Sequence, residues 1–172
     1  PAVTTVDYYE EVIRTVRDKF SQIAIEVQPL DTADYARLHE AGLSFVCVYQ
    51  ETYNEKQYPL YHPKGRKANY RYRLETPDRA CSAGVQKMGI GALLGLEDWR
   101  TDAFFTALHL KYLEKNYWKS KFSISLPRLR PHAGAFMPKD PINDRQMVQL
   151  ICAYRLLDQQ AEISISTRES RE

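Results

Sequence analysis

The sequence predicts an α/β fold built on a parallel sheet. Strand and helix patterns alternate strictly along the 172 residues, and the intervals between strands suit right-handed helical crossovers. The stretch from Leu43 to Tyr49 is apolar almost throughout, which is typical of a parallel strand buried on both faces. With 44% hydrophobic residues, the chain is long enough to bury the core of one domain.

The first elements are two helices with a short strand between them. Apolar residues recur at helical spacing between residues 6 and 20, after threonines that can cap a helix. Residues 23–27 then form a strand pattern. A second helix begins at Asp31 or Thr32 and ends at Gly42, ahead of the apolar strand.

A long polar connection, rich in tyrosine and basic residues, follows from Tyr53 to about Tyr72. Connections of this length in compact domains are often lids or binding loops. A helix with Pro77 in its first turn then runs to Gly84. The next strand spans residues 85–95 and contains three glycines, which predicts a close approach to its backbone.

The carboxyl-terminal third completes the alternation. A long helix follows Thr101, and the strand from Phe122 to Leu126 alternates apolar residues with serines. Asn143 is a good cap for the last helix, and residues 162–169 form the final strand pattern. The sequence therefore predicts five strands and five helices.

Polar side chains follow three of the predicted strands. Arginine offers a fixed fork of donors that suits a carboxylate or phosphate. The carboxyl ends of parallel strands share one face, which holds the active site in α/β folds. We therefore expect an anion-binding site built from Gln50, Glu51, Arg128, Arg130 and the segment 166–168.

Composition excludes several classes. The net charge of +2 gives no general reason to expect nucleic acid or an anionic membrane as a partner. No apolar run approaches the about 20 residues of a membrane span, and no G-x-G-x-x-G follows the first strand. The three cysteines, Cys47, Cys81 and Cys152, are dispersed, which predicts reduced thiols, a cytoplasmic location and no metal site. Both ends of the chain suggest a piece of a longer protein.

Six stretches together resemble the tyrosine-cleaving branch of the radical S-adenosylmethionine (SAM) enzymes. The resemblance runs through the whole chain in order, and it is greatest to the tyrosine lyases of thiamine thiazole biosynthesis. The tyrosine lyases of hydrogenase maturation are the alternative. The stretches are Glu26-Val-Gln-Pro29, Tyr49-Gln-Glu-Thr-Tyr53, Arg73-Leu-Glu-Thr-Pro-Asp-Arg79, Gly89-Ile-Gly-Ala-Leu-Leu-Gly-Leu96, Pro127-Arg-Leu-Arg-Pro131 and Ser166-Thr-Arg-Glu169.

The resemblance implies that residues 1–172 form a single partial (βα) barrel domain, approximately strands three to seven of a radical SAM TIM-type barrel. It implies cleavage of the Cα–Cβ bond of L-tyrosine to 2-iminoacetate and p-cresol, with SAM and a [4Fe–4S] cluster as cofactors. The family binds its cluster through C-x-x-x-C-x-x-C, which this sequence lacks. We therefore expect the cluster ligands upstream, and we expect the chain alone to be inactive.

Site residues follow from the same resemblance. The SAM ribose hydroxyls are expected at Gln50 and Glu51, and the SAM carboxylate at Arg73, with Arg71 and Arg79 as competitors. The adenine is expected against Gly89, Gly91 and Ala92. One of Arg128 and Arg130 is expected to hold the carboxylate of the substrate tyrosine, in a pocket shared with Ser125, Ser166 and Arg168. The role of Glu26 stays open.

Three other interpretations remain. The tyrosine-rich connection could stack RNA bases, although no RNA-binding motif accompanies it. The arginines could instead serve a phosphate-binding barrel enzyme that does not use SAM. The chain could also be a non-catalytic half-barrel. A thiazole synthase partner is implied by the family alone.

Overall fold

The computed structural model describes residues 4–130, 137–166 and 169, and its centre is one sheet of five parallel strands. Every strand pairs with the next along the chain, in the order β1-β2-β3-β4-β5. The strands are β1 (Ala24–Glu26), β2 (Phe45–Cys47), β3 (Lys87–Gly91), β4 (Lys121–Leu126) and β5 (Glu162–Ile165). An order that never reverses is that of a (βα) barrel arc and not of a doubly wound sheet. The predicted α/β fold with a partial barrel is confirmed.

Local capping signals account for the ends of the helices. Thr5 accepts a hydrogen bond from the Tyr8 amide, and Asn143 and Gln146 form a reciprocal capping box. The sixth helix begins before Thr101, because the Asp98 side chain caps it. The helices are α1 (Val6–Val16), α2 (Thr32–Ala41), α3 (Tyr58–Tyr61), α4 (Tyr70–Leu74), α5 (Thr76–Ser82), α6 (Trp99–Asn116) and α7 (Asp144–Leu157).

The connection after β2 is more ordered than its sequence predicted. It contains α3, a 3-10 helix at Arg66–Ala68 and the start of α4. Tyr58 is fully buried within it and donates its hydroxyl hydrogen bond to the Lys67 carbonyl. Tyr70, which is half-buried, donates likewise to the Tyr53 carbonyl, so tyrosine hydroxyls hold this polar segment together.

The two faces of the sheet differ in chemistry. Val46, Met88 and Ile124 point into one apolar core with the helices, and each is fully buried. Their neighbours in each strand point to the opposite face, because successive side chains of a strand alternate. That face carries small and polar residues, which the strand register aligns in two rows: Glu26, Cys47, Gly89, Ser123 and Glu162, then Gly91, Ser125 and Ser164. In a barrel this face lines the interior.

Candidate functional site

An open cleft of about 1210 Å³ lies at the carboxyl ends of β1 and β2. We call it the β1–β2 cleft. Its walls come from the segment after β1, from the end of β2, from the start of α1 and from the connection after β2. The lining residues used below are Cys47, Tyr49, Glu51, Lys67, Tyr72 and Arg73. The position matches the active-site face of parallel α/β folds.

Glu51 carries a carboxylate into this cleft on a strained backbone. Its φ is 73°, the only positive value outside glycine among the described residues. For a residue with a Cβ, such a conformation costs about 1–3 kcal/mol and is found preferentially at functional sites. Its Oε1 accepts hydrogen bonds from Arg73 Nη2 at 3.0 Å and Lys67 Nζ at 3.4 Å.

Arg73 is the arginine of this region that reaches the cleft. Its side chain is 7% exposed, and its Nε donates to the Tyr49 carbonyl at 2.6 Å. Arg71 is 79% exposed and lies 3.9 Å from Glu55. Arg79 donates to the Leu30 carbonyl and packs over the ring of Tyr72. Arg73 is therefore the best placed of the three predicted competitors, although its described partners are a protein carboxylate and a carbonyl.

Gln50 and the three small residues predicted to contact SAM lie outside the lining of this cleft. Gln50 is 4% exposed, and neither polar atom of its amide has a hydrogen-bond partner in the described part of the chain. It borders a small closed space between β2, β3 and α6, beside Tyr53 and His109. The structure therefore separates Gln50 from Glu51, and the role predicted for Gln50 stays untested.

The glycines of β3 are explained by packing between strands. A Cβ built on Gly91 would lie 2.4 Å from the Ser125 carbonyl oxygen, and one on Gly89 would lie 2.9 Å from Cys47 Sγ. Ala92 is buried and pairs with Glu51 in an isolated bridge. Tight packing thus requires the two glycines, and their predicted contact with adenine stays a prediction.

Arg128 and Arg130, the predicted ligands of the substrate carboxylate, both bind Glu169. Arg128 donates from Nε to Glu169 Oε1 at 2.9 Å and from Nη2 to the second oxygen. Its Nη1 donates to Asp144 and to the Ile142 carbonyl, so its side chain is only 7% exposed. Arg130 reaches Glu169 at 2.6 Å and is 41% exposed. Hydrogen bonds from Arg128 and Arg130 hold the pKa of Glu169 below its ordinary value.

The serines predicted for the same pocket lie near the carboxyl ends of neighbouring strands. Ser125 is half-buried on the open face. Burial, the larger effect, raises the pKa of the Tyr49 hydroxyl to about 12, whereas the influence of Ser125 lowers that pKa. Ser166 directly follows β5 and is half-buried. Arg168 lies outside the described residues. The structure therefore links Ser125 to the β1–β2 cleft through Tyr49, a residue that the sequence analysis did not single out.

A buried carboxyl group, Asp102, binds the two residues that follow Glu51. Its Oδ1 accepts hydrogen bonds from the Thr52 hydroxyl at 3.0 Å and from the Tyr53 amide at 2.7 Å. Asp102 is 1% exposed, and burial raises its pKa to about 6. The available signal was its helical spacing with the buried Trp99, Thr106 and Leu110, which places an acid on the core face of α6.

The described residues contain no set of ligands for a cluster. No group of three or more His, Cys, Asp or Glu side chains could hold a metal ion there. The three cysteines form no disulfide, and burial raises the pKa of the Cys81 thiol to about 11. A buried thiol of this kind is a poor metal ligand, because metals bind the thiolate. No helix in the described ranges is long and apolar enough to cross a membrane.

Comparison with known proteins adds a specific relationship. The chain is 49% identical over 166 residues to 2-iminoacetate synthase of Escherichia coli (strain K12), a match that covers 96% of the chain. It is 48% identical over the same length to 2-iminoacetate synthase of Salmonella typhimurium. The chain is homologous to 2-iminoacetate synthase. It spans 44% of the length of each of these relatives. The resemblance predicted from the six sequence stretches is confirmed.

A family model and solved structures agree with this relationship. The Biotin and Thiamin Synthesis associated domain matches residues 125–172. The [FeFe]-hydrogenase maturase HydG from Carboxydothermus hydrogenoformans superposes with a TM-score of 0.90 at 31% identity, over 99% of this chain and 40% of that one. Methylornithine synthase (PylB) superposes with a TM-score of 0.72 at 18% identity, over 91% of this chain and 44% of its own, which supports the fold alone. Identity is thus higher to 2-iminoacetate synthase than to HydG.

Proposed function

We propose that this chain forms part of a radical SAM tyrosine lyase, 2-iminoacetate synthase, which cleaves the Cα–Cβ bond of L-tyrosine to 2-iminoacetate and p-cresol for thiamine thiazole biosynthesis. The observation that carries the proposal is the 49% identity over 96% of the chain. The β1–β2 cleft supports it, because the cleft lies at the strand ends where such barrels bind their ligands. In this proposal residues 1–172 are one partial barrel domain, approximately strands three to seven.

The residues of the β1–β2 cleft suit SAM. Glu51 offers carboxylate oxygens, the acceptors that a ribose diol requires, and Arg73 beside it supplies a cation for a carboxylate. When bound with a reduced [4Fe–4S] cluster, SAM supplies a 5′-deoxyadenosyl radical that takes hydrogen from the substrate. We place the cluster ligands upstream, outside this chain. Gln50, Gly89, Gly91 and Ala92 remain proposed second contacts.

The substrate tyrosine is proposed to bind on the open face between Tyr49 and the ends of β4 and β5. Ser125 and Ser166 would line this pocket. Arg130 is the better placed of the two described arginines to bind a further carboxylate. It donates to one described acceptor atom, whereas Arg128 already donates to four. Arg168 stays a candidate from sequence alone. The chain's own contribution is to orient substrate and exclude water, since the cofactors supply the radical chemistry.

A test of the reaction uses the full-length gene product. After anaerobic reconstitution with iron and sulfide and reduction, the protein is given SAM and tyrosine. We expect p-cresol and 5′-deoxyadenosine together. Formation of 5′-deoxyadenosine without p-cresol would refute the tyrosine assignment, and absence of both from a protein with an intact cluster would refute the proposed function. A cytoplasmic location and a thiazole synthase partner belong to the proposal without further support from the described residues.

A second candidate is the tyrosine lyase of hydrogenase maturation. HydG favours it by its TM-score of 0.90, but its 31% identity is well below the 49% to 2-iminoacetate synthase. Thiamine auxotrophy of a deletion strain, relieved by thiazole, distinguishes the two. A phosphate-binding barrel enzyme would instead show protection of the protein from heat by inorganic phosphate and no response to SAM.

A further inference from the structure

We infer that Asp102 is a positioning residue that sets the orientation of Glu51 through Thr52 and Tyr53. The ligand that Glu51 meets, SAM, rests on the proposed function, whereas the positioning itself rests on geometry alone. Asp102 lies on α6, which follows β3, and Glu51 lies four residues after β2, in an isolated bridge with Ala92. The inference therefore assigns to a helix behind the sheet control over a carboxylate in the β1–β2 cleft.

The left-handed backbone of Glu51 has to be held from both sides, because a residue with a Cβ avoids it. On the strand side, the Gln50 amide donates to the Gly91 carbonyl, and the Leu93 amide donates to the Glu51 carbonyl at 2.7 Å. These bonds continue the pairing of β2 with β3. They fix the position of Gln50 and Glu51 beside β3, but they do not fix the conformation of Thr52 and Tyr53, which follow.

Asp102 supplies the hold on the other side. Its Oδ1 accepts hydrogen bonds from the Thr52 hydroxyl and the Tyr53 amide, which belong to the two residues after Glu51. The Thr52 hydroxyl in turn accepts from the Asn54 amide at 3.0 Å, which extends the anchored segment by one residue. Thr52 and Asp102 are essentially inaccessible to solvent, so water cannot replace these bonds. One carboxylate oxygen of Asp102 thus fixes the two residues that follow the strained Glu51.

The competing explanation is that Asp102 merely ties α6 to the sheet. Tyr154 provides a matched control for that role, because its buried hydroxyl donates to the Ala103 carbonyl of α6 at 2.8 Å. Tyr154→Phe removes a buried hydrogen bond to the same helix, one residue from Asp102, and leaves both hydrogen bonds from the Glu51 turn to Asp102 in place. Tyr154→Phe and Asp102→Leu should both lower the stability of the protein, and only Asp102→Leu should alter the orientation of Glu51.

The first measurement is SAM binding to the cluster-loaded full-length protein. We expect Asp102→Leu to weaken binding by about tenfold or more, because the turn that carries Glu51 loses both of its buried hydrogen bonds to this carboxylate. Asp102→Asn keeps an oxygen acceptor, so affinity should stay within about threefold of wild type. Tyr154→Phe should leave affinity unchanged.

A double-mutant cycle with Glu51→Gln tests whether Asp102 acts through Glu51. If it does, adding Asp102→Leu to Glu51→Gln costs no further affinity. Additive losses, or an Asp102→Leu affinity equal to that of Tyr154→Phe, would overturn the inference. If Asp102→Leu does not fold, Thr52→Val removes one of the two donors and takes its place in the cycle.

Amide hydrogen exchange tests the positioning without any ligand. The Leu93 amide bonds to Glu51 and does not contact Asp102, so its exchange should quicken in Asp102→Leu, while that of the Gln50 amide should not. Equal exchange at Leu93 in both proteins would contradict the inference. If wild type binds no SAM, or Glu51→Gln binds it normally, the proposed function or the role of Glu51 fails, and the exchange result still decides the role of Asp102.

Discussion

Two pairings of arginine with glutamate stand beyond the carboxyl ends of well-separated strands of the sheet, and they differ in how much of the carboxylate is left for a ligand. In the segment that follows β2, Glu51 shares one hydrogen bond with Arg73 beside the open β1–β2 cleft. Beyond β4 and β5, Arg128 and Arg130 enclose Glu169. The first pair leaves carboxylate oxygen for a ligand, whereas the second already holds its anion. Arginines after a strand therefore predict an anion, but not whether that anion comes from solution.

The largest effect that would sharpen this comparison is expected at Arg128. Arg128→Leu leaves the carboxylates of Glu169 and Asp144 without their shared partner, and we expect a loss of about 3 kcal/mol in the free energy of unfolding. Urea unfolding at pH 7.5 measures it. Arg130→Met, at the exposed member of the cluster, should cost less than about 1 kcal/mol. Equal losses would mean that the cluster is not closed around Arg128.

A smaller loss is expected at Arg73. Arg73→Met removes the hydrogen bonds to the Tyr49 carbonyl and to Glu51 from a side chain that is almost fully buried. We expect about 2 kcal/mol of lost stability, because charge-assisted hydrogen bonds are worth more than neutral ones. Arg71→Met, two residues away and largely exposed, should stay within about 0.5 kcal/mol of wild type. If both variants behave alike, Arg73 does not organise the cleft.

The sequence predicted those features that depend on neighbouring residues. The strand from Phe122, the cap at Asn143 and the polar strand ends all follow from local patterns. What it missed depends on distant contacts: Arg73 meets Glu51 across 22 residues, Asp102 meets Thr52 across 50, and Glu169 meets Arg128 across 41. No local pattern records such pairings.

Gln50 illustrates a limit of a different kind. Val46, Val48 and Gln50 share one parity in the extended segment, which places Gln50 on the core side with the buried valines. Alternation alone could have separated it from Glu51. The sequence interpretation treated the two as one polar strand end, because both side chains suit a diol. The structure makes Glu51 the member of this pair that faces the β1–β2 cleft.

The smallest predicted change in stability is that of Asp102→Asn, and it concerns only the buried carboxyl group that binds Thr52 and Tyr53. Burial raises its pKa to about 6, against an ordinary value of 3.8, so the folded protein binds its proton more tightly than the unfolded chain does. This site therefore lowers stability as pH rises through the window from about 4 to 6. Asp102→Asn does not titrate. Relative to wild type, it should be about equally stable near pH 4 and more stable, by about 1–2 kcal/mol, at pH 7.5.

Asp98, four residues earlier, provides a control of opposite sign. Its hydrogen bonds to Thr101 at the start of α6 lower its pKa, so its charged form favours the folded state. Asp98→Asn should therefore lose stability relative to wild type as pH rises through the range just below about 4, and the difference should stay constant above it. Urea unfolding of the three proteins between about pH 3 and 7.5 gives both slopes. A stability difference between Asp102→Asn and wild type that does not change between about pH 4 and 6 would show that Asp102 titrates as an ordinary carboxyl group, and that water reaches it.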